Sequence, residues 1–177
     1  MSGVTDRDLG YDSLKRELDK LARSGVPVVL VGILQDKGSE MTEGGITLAG
    51  YAAVNEFGSK HTPERSFLRS TVADNSAAYQ RELDQVVGDF VDAALSSPGS
   101  GNRTLERGLG RLGLRVTRDV QNKIRDIKAP PNAPATLARK YPGQNPLVHT
   151  GRMRQSISHK VVMNNRSTGT LPTGGAS

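Results

Sequence analysis

The sequence predicts an α+β fold: a small mixed sheet packed with several amphipathic helices. Three observations carry that expectation. Val28-Val29-Leu30-Val31-Gly32-Ile33-Leu34 is short, β-branched and continuously apolar, which reads as a strand near 27–34 covered on both faces. A second apolar, β-branched set, Ile157, Val161 and Val162, predicts a strand near 154–163. Between them, apolar residues recur at helical spacing in two long stretches, near 76–95 and near 103–127.

Taken in order, Tyr11 to Ser24 reads as a helix, with Leu14, Leu18 and Leu21 on one side and charges between them. Gly25 suits its C-terminal cap, and Pro27 blocks continuation. After the first strand, 36–45 is polar and Gly-rich and reads as a mobile loop. Thr47 can cap a helix from Leu48 to Phe57 that Gly58 ends. Ser66 can cap a short helix carrying Phe67, Leu68 and Val72. A separate helix from about Ser76 to Leu95 then places Tyr79, Leu83, Val86, Val87, Phe90, Val91 and Ala94 on one stripe. Ser96 to Asn102 is the strongest break. Thr104 opens the most regular helix, to about Ile127: Leu105, Leu109, Leu112, Val116, Val120, Ile124 and Ile127 share one side, and Arg103, Arg107, Arg111, Arg115, Arg118 and Arg125 centre on the other. Five prolines between 130 and 146 predict an extended loop at 129–148. Residues 164–177, rich in Gly, Ser and Thr, read as a flexible tail beside a single domain over 1–163.

Composition narrows the function classes. Of 177 residues 35% are apolar, with 20 Gly, 9 Pro and no Trp, so the core is modest and partner subunits can supply part of the stability. No Cys is present, which excludes disulfides, thiolate chemistry and Cys-based zinc sites. The longest apolar run, Val26 to Leu34, is too short to span a bilayer and the first residues do not form a signal peptide, so a cytoplasmic setting and no membrane partner are expected. The net charge of +6 is split: residues 1–102 hold 10 Lys and Arg against 15 Asp and Glu, net −5, and residues 103–177 hold 14 against 3, net +11. A basic half suits either nucleic acid or the acidic half of a neighbouring copy, and this one lacks aromatics interleaved for base stacking.

Catalytic constellations are missing. His61, His149 and His159 have no second ligand at metal-site spacing. Gly108-Leu109-Gly110-Arg111-Leu112-Gly113 resembles a phosphate loop in shape but lies inside an amphipathic helix, where close helix packing explains its glycines. No catalytic, metal or cofactor-binding residue is assigned. The arginine stripe has three readings: a solvated face, a contact with acidic surfaces of neighbouring subunits, and a contact with DNA phosphates.

The segment Tyr51-Ala52-Ala53-Val54-Asn55-Glu56-Phe57-Gly58-Ser59, followed by Pro63-Glu64-Arg65-Ser66-Phe67-Leu68-Arg69, offers aromatic anchors and charges of both signs but no nucleophile–base pair. Phe57, Phe67 and Leu68 can fill the small core, while Glu56, Glu64, Arg65 and Arg69 around them suit an interface with an apolar centre and charged rim. With Asn132-Ala133-Pro134-Ala135-Thr136 and Pro146-Leu147-Val148-His149-Thr150-Gly151-Arg152-Met153-Arg154-Gln155-Ser156-Ile157, the segment resembles the neck and tail-completion family of tailed bacteriophages, the minor tail protein Z-like proteins. The blocks match in order and spacing over roughly 28–162. Ser66 stands where that family often has Pro, and His149 where Asp is usual.

The resemblance implies a non-enzymatic α+β virion protein of the neck or tail, assembled in the host cytoplasm without cofactors. It implies a ring, commonly of six copies and alternatively of twelve, meeting head-connector proteins on one side and tail terminator or tail-tube proteins on the other, with DNA only passing through the lumen. Tail terminator and head closure protein of the same connector are the alternatives within this class; a basic DNA-binding accessory protein is the alternative outside it. The expected contact residues are Glu56, Phe57, Glu64, Arg65, Phe67, Arg69, Arg107, Arg111, Arg115 and Arg152, with acidic helices of one copy facing the arginine helix of the next.

Overall fold

The computed structural model describes residues 10–42, 44–139, 145–148 and 151–163. The expectations for His149, Thr150 and the 164–177 tail lie outside them. Among the described residues the chain is helix-rich with one two-stranded antiparallel sheet, the α+β class that the sequence predicts. Its elements are α1 (Tyr11–Ser24), β1 (Val28–Ile33), α2 (Gln35–Gly38), α3 (Leu48–Phe57), α4 (Leu68–Ser96), α5 (Gly101–Asp126), α6 (Pro134–Arg139), α7 (Arg152–Gln155) and β2 (Ile157–Val162). They divide between two compact units, one of Met1–Val29, Gln80–Leu112 and Val161–Ser177, the other of Leu30–Tyr79 and Gly113–Lys160.

In the first unit, Val86 and Phe90 of α4 close on Leu105 and Leu109 of α5, and Leu14, Leu21, Val29, Leu83, Val91, Val161 and Met163 pack around them. Gly108 is required here: a Cβ on it would stand 2.7 Å from Val86 Cγ1, so only glycine lets the helices approach this closely. The buried face of α1 is rotated from the expected leucine stripe. Leu18 is 48% exposed, whereas Ser13 and Glu17 are buried. The reason is polar: Glu17 Oε2 accepts from the Asn102 backbone N–H and side-chain amide at the start of α5. That helix has no acid in its own first turn, so α1 supplies the negative charge its N-terminus favours. It begins at Gly101, three residues before the expected Thr104 cap.

In the second unit, Leu48, Ala52, Phe67, Val116, Val120, Ile124, Leu147, Met153 and Ile157 are the buried apolar residues. Five expectations change here. The helix expected near 76 begins at Leu68 and absorbs the short one, because nothing between 68 and 76 breaks it. Asn75 and Ser76 bond back to the Thr71 and Ala73 carbonyls instead of capping a new start. The 36–45 stretch is not simply loop: α2 occupies part of it, and Met41 bridges Thr47 antiparallel. The 129–148 stretch contains α6, opened by Pro134, a residue suited to a first helical position. Asn145 donates to the Arg125 carbonyl at 2.6 Å, closing the end of α5, and its Oδ1 accepts from the Leu147 and Val148 N–H groups. The second strand starts only at Ile157, since Arg152–Gln155 form one helical turn after Gly151, whose φ is 79°. The first strand is half-buried along most of its length rather than covered on both faces, and Leu30 is exposed.

Candidate assembly surface

The turn from α3 to α4 is organised by one carboxylate. Glu56, 3% exposed, sits in the last turn of α3 and receives the start of α4. Its Oε2 accepts from the Phe67 and Leu68 N–H groups, both at 2.8 Å, and its Oε1 from the Arg69 N–H at 2.9 Å and Ser66 Oγ at 2.8 Å. Three of the N–H donors that the start of a helix leaves unpaired are thereby satisfied by one side chain. Burial would raise the Glu56 pKa; the donors from Leu68, Arg69, Ser66 and Phe67 outweigh it and hold the carboxyl below its ordinary value. Ser66, the expected cap, contributes by accepting from the Ser70 N–H at 3.2 Å.

Around this centre the turn is folded tightly. Gly58 has φ 76°, and a Cβ on it would meet the Glu64 backbone nitrogen at 3.0 Å, so the chain can double back here only at glycine. Arg65 is buried and holds the proline segment by its fork: Nε donates to the Pro130 carbonyl at 2.7 Å and Nη2 to the Pro131 carbonyl at 2.9 Å. Its backbone N–H donates to the Asn55 carbonyl at 2.7 Å. Asn55 donates in turn to the Tyr51 carbonyl at 2.8 Å. Glu56, Arg65 and Phe67 are therefore internal, with partners in their own chain, and offer no surface to a neighbour. Three of the expected contact residues are thus buried within their own chain.

What the turn does expose is a smaller group. Phe57 is 63% exposed, and the Arg69 guanidinium lies 4.5 Å from its ring centroid. Arg69 also bonds the Glu56 carboxylate at 3.1 Å, the Glu56 carbonyl at 3.0 Å and the Glu64 carboxylate at 2.8 Å. These bonds fix the guanidinium over the ring without hiding it. Val72, three residues further along α4 and so on the same side as Arg69, is also exposed. An exposed aromatic ring and an arginine held over it are residue types enriched in protein interfaces.

The arginine stripe of α5 divides in two. Arg111 turns to Asp89 at 3.6 Å, and Arg115 to Asp119 at 3.9 Å and to the face of Tyr79, whose hydroxyl donates to Asp119 at 3.0 Å. Their acids belong to the same chain. Arg103 and Arg107 are exposed and make no ion pair among the described residues. Arg152 pairs with Glu40 at 2.8 Å, and Glu40 also takes Lys37 at 3.0 Å. Its carboxyl is held below its ordinary value chiefly by the Arg152 bond.

Three residues with structural weight carry little sequence signal. Asn55 and Asn102 look like ordinary polar helix positions, and Glu17 looks like part of a solvated face. Glu56 is the detectable one: it is the only acid in a helix of otherwise small, apolar or neutral residues. His61 lies in the exposed turn and His159 on β2, with Nδ1 3.4 Å from Thr117 Oγ1. Among the described residues no group of three or more His, Asp or Glu could hold a metal ion, and no helix is long and apolar enough to cross a membrane. Comparison with protein-family models, curated proteins and solved structures finds no match.

Proposed function

We infer that the chain is a structural, non-enzymatic component of a tailed-bacteriophage neck or tail, completing the tail for attachment to the head as a ring of identical copies. The observation that carries this reading is the joining of the two sequence blocks on which the family resemblance rests. Residues 51–69 and 132–157 fall in one compact unit, and Arg65 reaches from the first block to the carbonyls immediately before the second. Residues distant in sequence are thus used to build one rigid turn rather than a reactive site. Phe57 and Arg69 of this turn are held in place yet exposed, and in the other unit Arg103 and Arg107 leave positive charge for acidic groups of another subunit.

The direct test is loss of the chain during particle assembly. With it removed, DNA-filled heads and separate finished tails should accumulate, and expressing the protein should restore joined particles. Joined particles in its absence, or an earlier block that leaves heads empty, would overturn the reading.

A further inference from the structure

We propose that neighbouring copies meet through the outer faces of α4 and α5, an acidic ridge of one copy lying against a basic ridge of the next. This rests on the ring reading above and names the contact that would close it. Both ridges belong to the first compact unit. At about 100° per residue, Asp84, Gly88, Asp92 and Leu95 of α4 lie within about 40° of one line. Val86 and Phe90, which pack on α5, are on the opposite side of that helix. On α5, Arg103, Arg107 and Gly110 share a line that points away from Leu105 and Leu109. The two ridges therefore occupy opposite sides of the helical pair, and Asp84, Asp92, Arg103 and Arg107 are exposed on them.

Charge and glycine both mark these faces. Asp84, Asp92, Arg103 and Arg107 make no ion pair among the described residues, whereas Asp89 and Arg111 pair with each other at 3.6 Å. Asp84 accepts from the neutral Gln80 amide at 2.9 Å and keeps its charge. Gly101 and Gly108 are explained inside the chain: a Cβ there would stand 3.0 Å from Ala94 Cβ and 2.7 Å from Val86 Cγ1. Gly88 and Gly110 have nothing within 4 Å of the corresponding point. Glycine in a helix interior is less stable than alanine, and no neighbour in the described chain requires it at these two positions. Gly88 lies about one turn from both Asp84 and Asp92, and Gly110 about one turn from Arg107. A second helix can thus approach each ridge closely, with charges beside the point of approach.

The occupant is a second copy because each ridge has its complement on the other side of the same helical pair. Asp84 and Asp92 of one copy meet Arg103 and Arg107 of the next, whose own acids then meet a third. Duplex DNA would satisfy the arginines alone and leave Asp84, Gly88 and Asp92 unexplained. The joined faces are unlike, so the contact is heterologous and repeats until a ring closes.

The two ridges would be reversed separately, as Asp84→Arg with Asp92→Arg and as Arg103→Glu with Arg107→Glu, and then together in one chain. Circular dichroism would check folding, and native mass spectrometry would count the copies. Either reversal alone should abolish the closed species, since like charges then face each other. Mixing the two reversed proteins in equal amounts should restore rings of alternating copies, and the chain with all four substitutions should close by itself. A general loss of folding produces no such pattern of loss and rescue. Rings that persist in both single-ridge variants would overturn the contact and leave the ring reading intact. Loss in one of the two variants only would overturn it too, as would folded variants rescued neither by mixing nor in the combined chain. Absence of any oligomer in the unsubstituted protein would remove the ring reading as well.

Discussion

Replacing Glu56 by Gln keeps the side chain's shape but takes away the charge and sets an amide against N–H donors with nothing to accept. The expected cost is about 1–3 kcal/mol, the penalty for donors left unpaired in a buried site, read from denaturant unfolding. The pH dependence follows the direction of the shift. The carboxyl is held below its unfolded value, about 4.3, so its contribution is full above that value and disappears as pH falls through the lower folded one. The Gln variant should therefore lose less stability than the parent on acidification through that window; equal losses would show that Glu56 is not the group responsible. Arg65 is a second single-residue case. Arg65→Lys keeps a charge but cannot fork onto the Pro130 and Pro131 carbonyls, and should cost about 1–3 kcal/mol by the same measurement.

Elements differ in how openly the sequence shows them. The helix α5 is readable because its apolar residues keep one side for its whole length and its neighbours are turn formers. Its start is not, because the carboxylate that receives the Asn102 N–H comes from Glu17, 85 positions earlier. For α4 the expected start is again too late, but for a different reason. Asp74, Asn75 and Ser76 resemble a cap, but the side chains of Asn75 and Ser76 bond back into the helix and the helix runs through. The turn of 51–72 was visible as an unusual composition, and its internal roles were not: Glu56 and Arg65 look like rim charges until the fold shows whom they serve. The close approach of α4 and α5 is testable at this scale. Gly108→Ala should destabilise by about 1–3 kcal/mol through overpacking against Val86. In a double-mutant cycle with Val86→Ala the two changes should partly cancel, since one fills the space that the other opens.

At the scale of the whole molecule, the charge split that suggested subunit contacts is partly consumed inside the chain. Arg111 and Arg115 already have acids of their own, so Arg111→Glu or Arg115→Glu would disturb the monomer as well as any contact. Arg103 and Arg107 carry the cleaner test. Arg103→Glu with Arg107→Glu should leave unfolding within about 0.5 kcal/mol of the parent, as expected for surface changes. If the acidic face of a neighbour meets these arginines, the same variant should weaken assembly, and more so at low salt, where exposed charges are least screened. Duplex DNA binding, strongest at low salt if phosphates are the target, is the contrasting outcome.

The central claim is that identical copies of this chain close into a ring, and native mass spectrometry of the unsubstituted protein over a range of concentrations reads it directly. One closed species of six copies, or of twelve, is expected, persisting on dilution and reduced in the Arg103→Glu, Arg107→Glu variant. A monomer at every concentration, or an open series of sizes without a preferred number, would contradict it.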